Sequence, residues 1–244
     1  MVEKETLLSF LIPFFLLSMT TEAHALKIQW LGHAAFLITA SDGTRILTDP
    51  YEAGAFGGAI GYKRITVRTD GVTVSHEHRD HNATQGLEGS PEVVRGKGVK
   101  TVRGITFKGI ASFHDKSQGR ERGNNTIFSF TVDGIRIAHL GDLGHVLSPP
   151  QIDEIGQVNV LLIPVGGYYT IDADEASIVV AQLRPGIVIP MHFKTEAVNL
   201  PIAPVEGFLK GKGRVKRMNT SEIELSKDRL PSATEIIVLK PSQL

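Results

Sequence analysis

Residues 72–81 read VTVSHEHRDH, which puts three histidines and an aspartate directly behind a short apolar strand. Imidazole and carboxylate side chains this dense suit a bound zinc, iron or manganese ion. Alternate residues of an extended segment point the same way. His76 and His78 are therefore placed to reach one ion, and the turn that follows lets Asp80 and His81 face a second. Solvated loop histidines are the bland alternative, but a cluster this tight disfavours it.

Three more candidates follow apolar strands far along the chain. His114 comes after residues 106–112, Asp142 after residues 135–140, and His192 after residues 187–191. In α/β proteins, strand ends are where functional groups gather. Each of these residues alone could be an ordinary hydrogen-bonded side chain. Together they require a fold that brings the ends of at least four strands to one place.

The rest of the chain reads as α/β in one domain over residues 26–244. Strands are expected at 26–30, 36–38, 45–48, 72–75, 99–105, 106–112, 126–132, 135–140, 160–165, 187–191 and 235–239. Asp42-Gly43 and Asp133-Gly134 mark hairpin turns. Ser148 caps a short helix with Pro149 and Pro150 in its first turn. A second helix is expected from Asp174 through Leu183, stopped by Pro185-Gly186, and another from Glu206. Residues 51–62, rich in glycine and alanine, read as a mobile loop. No repeat and no Pro/Ser-rich linker interrupts the pattern.

Composition narrows the chemistry. The chain has no cysteine, so any metal is held by nitrogen and oxygen. Lys and Arg total 26, as do Asp and Glu, so no bulk basic field points to nucleic acid. The basic run Lys210, Lys212, Arg214, Lys216 and Arg217 reads as a solvated face.

Residues 7–17 are almost wholly apolar and precede Ala23-His24-Ala25, a small-x-small pattern suited to signal peptidase. The run is shorter than the ~18–20 residues of a spanning helix. Residues 1–25 are therefore read as a signal peptide, with a periplasmic or secreted mature chain and no stable membrane span after processing. Mass spectrometry of protein from the native host is expected to find an N-terminus at or near Leu26. A full-length chain confined to the cytosol would reject the reading.

The motifs WLGHAAF, LTDP, SHEHRDHN, HLGDLGH, LLIPVGG and IPMHFKT, between residues 30 and 195, resemble the metallo-β-lactamase superfamily. They are most similar to a bacterial zinc-dependent hydrolase branch related to ascorbate-phosphate lactonases and the acyl-ethanolamine phospholipid phosphodiesterase. The resemblance implies a four-layer αββα sandwich with a site at one edge. It implies two divalent ions, zinc first, with manganese or iron as alternatives. One ion would sit on His76, His78 and His114, the other on Asp80, His81 and His192, with Asp142 bridging. Histidine rather than glutamate at position 78 argues against the oxygen-reducing diiron relatives, and histidine after Asp80 against β-lactam hydrolysis.

On this reading a metal-bridged hydroxide attacks a small ester, lactone or phosphodiester. Asp80 orients the nucleophile and passes its proton on. His33 lies near the site and either donates to substrate or holds the sheet. Asp49 orients a ligand histidine. Tyr168 and Lys194 lie beside site-bearing turns, where they either bind an anionic group of a small-molecule substrate or serve the surface. His139 reads as structural and His145 as a pocket wall. A non-catalytic metal-binding protein or a nuclease are the alternatives. Oligomeric state is not legible.

Overall fold

A computed structural model describes residue 1 and residues 25–243. The signal-peptide expectation for residues 1–25 falls almost wholly outside the described residues. Among the described residues, no helix is long and apolar enough to cross a membrane.

The first sheet begins with β1 (Leu26–Gly32), β2 (Ala35–Thr39) and β3 (Arg45–Thr48), which run antiparallel in succession. β4 (Gly71–Val74) and β5 (Glu92–Arg95) continue it in parallel. The second sheet opens with the antiparallel run β6 (Gly98–Val102), β7 (Ile105–Phe113), β8 (Asn124–Val132) and β9 (Ile135–His139). β10 (Val160–Pro164) and β11 (Ile187–Met191) then add in parallel. Of the late strands β12 (Val215–Arg217), β13 (Glu222–Leu225) and β14 (Glu235–Val238), β13 returns to the edge of the first sheet beside β1. β14 and β12 extend the second sheet beyond β11.

One large apolar cluster includes Trp30, Phe36, Phe107, Phe128, Leu162 and Val188, so residues from both sheets share a single core. A smaller cluster, with Leu37, Leu47, Tyr51, Tyr62 and Ile202, forms around the loops that follow β3 and β11. Alternation explains the division. Along β2, Phe36 and Ile38 join the large core while Ala35 and Leu37 join the small one.

Helices are few. α1 (Ala55–Gly58) is one irregular turn, with Phe56 and Gly57 in left-handed conformations. α2 (Pro149–Ile155) starts at the expected Ser148 cap, with proline in its first turn. α3 (Ala173–Leu183) is closed by a capping box. Asp172 accepts from the Asp174 and Glu175 backbone at 3.0 and 2.9 Å, and Glu175 accepts from the Asp172 backbone. α4 (Glu206–Leu209) is a single turn.

Most expected strands are present with shifted ends. The largest shift is in the β6–β7 hairpin. Its turn is Arg103-Gly104, both with positive φ, where a strand boundary inside an apolar stretch was expected. The short strands β5, β12 and β13 were not expected. Each is three or four residues long and combines glutamate, lysine or arginine with one or two apolar residues. The loop at 51–62 is tied down by backbone bonds: Glu52 to Arg79, Gly54 to Ile60, Gly61 to Ala197, and Asn199 to Ala59.

Candidate metal centre

Five connections converge on one edge of the paired sheets. The turn after β1 carries His33, β4 leads into His76–His81, β7 into His114, β9 into Asp142, and β11 into His192. Among the donor residues, His33, His76, Asp80, His81, His114, Asp142 and His192 are buried, and His78 is exposed.

Local backbone geometry makes the convergence possible. His33 and His192 both sit at positive φ, 51° and 49°, and the His192 amide donates to the His33 carbonyl at 3.2 Å. Non-glycine residues hold this conformation only where the surroundings fix it, often at functional sites. Gly141, at φ 55°, lets the chain turn between β9 and Asp142. A side chain there would run into Asn125 and Ser75. Asn125 accepts from the Asp142 amide at 2.9 Å and donates to the Leu140 carbonyl at 2.9 Å, so it pins the turn from both sides.

Gly144 backs directly onto the chain carrying His114. A Cβ at this position would overlap the backbone of His114 and Asp115. Gly144→Ala is therefore expected to destabilise the protein by about 1–3 kcal/mol, the usual range for overpacking against atoms that cannot yield. In a chain of this size each kcal/mol lowers Tm by roughly 2–4 °C. A calorimetric scan showing an unchanged Tm would contradict this packing.

The donor atoms fall into two main groups. His76, His78 and His114 offer three nitrogens within 4.8 Å of one another. His33, Asp80, His81 and His192 offer a second set within the same limit. Asp142 touches both. Its Oδ2 lies 3.1 Å from His114 Nε2 and 3.3 Å from His192 Nε2, while its Oδ1 lies 3.2 Å from His81 Nε2. Asp80 Oδ2 accepts from His33 Nε2 at 3.0 Å. Asp49, one layer out, accepts from His81 Nδ1 at 2.9 Å and from the Ser75 amide and hydroxyl.

The cluster is suited to cations. Asp80 Oδ1 is buried with no hydrogen-bond partner among the described residues, and Asp142 Oδ1 and His81 Nε2, also buried, face each other at 3.2 Å without hydrogen-bond alignment. Buried carboxylate oxygens left this way are costly unless a cation faces them. Protonation points the same way. Burial opposes ionisation of Asp142, yet His192, His81 and His114 hold its carboxyl well below the usual range. Asp80 is likewise depressed against burial by His81 and His33. Burial, reinforced by His81, pushes His76 down to about 3. Burial, reinforced by His192, pushes His33 down to about 4. Neutral imidazoles and ionised carboxylates are the ligand forms. His81 goes the other way: despite burial, Asp142 and Asp80 raise it well above the usual histidine range. Its proton is one that metal binding would release.

A cavity of about 320 Å³ opens onto this cluster. It is lined by His78, Asp80, His114, Asp142 and His192, with Phe56, Leu200, Tyr169 and Arg122 on its walls. A larger cavity of about 690 Å³ lies beside the 77–85 loop, bordered by Glu52, Arg64, Glu77 and Arg79. None of the clustered donors lines it, so the chemistry belongs to the smaller one.

All seven expected ligand residues, together with His33 and Asp49, are brought together. Three pocket expectations fare differently. Tyr168 is 65% exposed and borders a separate groove. Lys194 Nζ donates to the Leu200 carbonyl at 3.2 Å and does not line the metal cavity. His145 accepts from the Phe113 amide and bonds the Val146 carbonyl, which makes it a loop fastener. His139 is structural as expected, bonded to the Ala34 carbonyl at 2.9 Å. Sequence reasoning missed Phe56, Arg122, Tyr169 and Leu200. They sit in loops with no repeating spacing, and only the fold places them around the donors.

A family model described as a β-lactamase superfamily domain matches residues 27–192, more than half of the chain. This chain belongs to the metallo-β-lactamase superfamily. Its curated relatives include a metal-dependent hydrolase of Thermococcus kodakarensis, 30% identical over 199 residues, covering 69% of this chain and 85% of the relative. Another, from Carboxydothermus hydrogenoformans, is 31% identical over 229 residues, covering 81% and 99%. Among solved structures, a candidate Zn-dependent hydrolase of the superfamily from Thermotoga maritima superposes with TM-score 0.74 at 38% identity, covering 88% of this chain and 98% of that one. The two packed sheets are those of the metallo-β-lactamase sandwich, and the chain is a metal-dependent hydrolase with a His/Asp cluster able to bind metal ions.

Proposed function

We propose that this hydrolase uses two divalent ions to cleave a small ester, lactone or phosphodiester. The observation that supports it best is Asp142, which contacts an imidazole of each donor group and lines the cavity. His76, His78 and His114 would hold one ion, and Asp80, His81 and His192 the other. Zinc fits nitrogen-rich sets of this kind, with manganese or iron as alternatives. Bound there, the ions supply Lewis acidity for the substrate oxygen and a water made acidic enough to attack at neutral pH.

The chain's own residues do the rest. Asp80 takes the proton of the attacking water on Oδ1, its unpartnered oxygen, and returns it to the leaving oxygen. His33 Nε2–H, donating to Oδ2, fixes the carboxylate's orientation and favours its ionised form. Asp49 holds the His81 ring in place through Nδ1. Phe56 and Leu200 exclude water on one side. At about 320 Å³ the cavity stands at the lower end of ligand-site sizes, which favours a small substrate over a nucleic-acid strand.

The test is a screen of metal-loaded protein against esters, lactones and phosphodiesters, with β-lactams and RNA as comparison. Turnover of one of the first three, lost with chelator and restored by metal, is the expected result. Turnover of RNA alone would favour a nuclease. No turnover of anything, with metal bound, would favour a non-catalytic metal-binding protein.

A further inference from the structure

We propose that Arg122 reads a negatively charged substituent on the substrate, so that the preferred substrate is a small ester with an anionic group beside its scissile bond. This rests on the hydrolase reading above and narrows it. Arg122 is the one lysine or arginine on the wall of the metal cavity among the described residues. It also borders the groove that runs outward past His76 and His78. Its guanidinium lies 5.7 Å from the Tyr169 ring centroid, which can steady the head by a cation–π contact.

The guanidinium is also underused. Its nearest carboxylate, Glu121, lies 3.6 Å from one nitrogen on a largely exposed side chain. Among the described residues its N–H groups make no hydrogen bond, and the side chain remains 31% accessible. Five donors in a planar fork suit a carboxylate or phosphate oxygen pair. Two divalent ions would outweigh Asp80 and Asp142, so the filled cavity would be positive even before Arg122 is added.

The backbone under Arg122 is fixed in advance. Asp115 is buried and accepts from the amides of Ser117, Gly119, Glu121 and Arg122 at 2.8, 2.8, 3.1 and 2.8 Å, and from the Ser117 hydroxyl. The same aspartate directly follows His114, so one carboxylate ties the cation to a residue of the donor cluster. Little backbone freedom is lost when an anion arrives. Phe56 and Leu200 give the cavity an apolar surface for the uncharged part of the substrate.

The test compares 4-nitrophenyl butyrate with the 4-nitrophenyl monoester of glutaric acid, corrected for spontaneous hydrolysis, on metal-loaded full-length protein. Wild type is expected to prefer the anionic ester in kcat/KM by on the order of 10- to 100-fold, the range for a charged hydrogen bond. Arg122→Gln should collapse that ratio mainly through KM, and Arg122→Lys should restore part of it. A wild-type preference under about twofold, or one unchanged in Arg122→Gln at equal metal content, would overturn the proposal. If wild type cleaves neither ester, the small-ester reading fails separately, and calorimetric titration with glutarate decides on Arg122. At least tenfold weaker binding to Arg122→Gln would then support its role, and equal binding would reject it.

Discussion

Asp142→Asn is expected to yield a folded protein that holds metal about a thousandfold more weakly and has lost most of its turnover. Asp142 is the carboxylate that faces His114 and His192 from one oxygen and His81 from the other. Unit charges ~4 Å apart interact by about 4 kcal/mol at an effective dielectric of ~20. That is close to three decades in Kd. Asparagine keeps the shape and the backbone anchor to Asn125. It removes the carboxylate that lies within 3.3 Å of imidazoles from both donor groups. Elemental analysis and a chelator competition read the affinity, and circular dichroism reads the fold. Wild-type metal content with wild-type turnover would show that the carboxylate is not shared.

Asp80→Asn should behave differently, losing on the order of 10²- to 10⁴-fold in kcat through the missing proton acceptor. Some loss of metal comes on top. The fold should survive, because Asp80 lies in the turn beyond β4 and belongs to neither apolar cluster. The amide oxygen can still accept from His33, so the local geometry has a partner to settle on. Turnover, metal content and Tm measured together separate the outcomes. Full kcat in the variant would remove Asp80 from the chemistry. A variant that fails to fold would make it structural.

The contrast between these residues and the cavity walls shows what a sequence can carry. The candidate ligand residues were legible because strand periodicity is local: an apolar run that ends in His or Asp marks a strand end, and strand ends converge in layered α/β folds. His76 and His78 were also legible as a pair, although residues 76–81 form turns and not an extended strand. Their rings still meet, with His76 Nε2 3.1 Å from His78 Nδ1. Arg122, Tyr169, Phe56 and Leu200 carried no such mark. Their meeting depends on how four connections pack over the sheet edge, which is set by long-range contacts. The missed edge strands have a similar cause. β13 is a short Glu-rich segment that becomes a strand only because β1 offers it an open edge.

The central claim is a centre for two ions built from seven residues of this chain. Elemental analysis of protein purified under metal-replete conditions tests it most directly. About two transition-metal equivalents per chain are predicted, falling in His114→Ala and in His192→Ala, one residue from each donor group. A chain that binds no metal under those conditions, or that binds two equivalents undiminished in both variants, would contradict it.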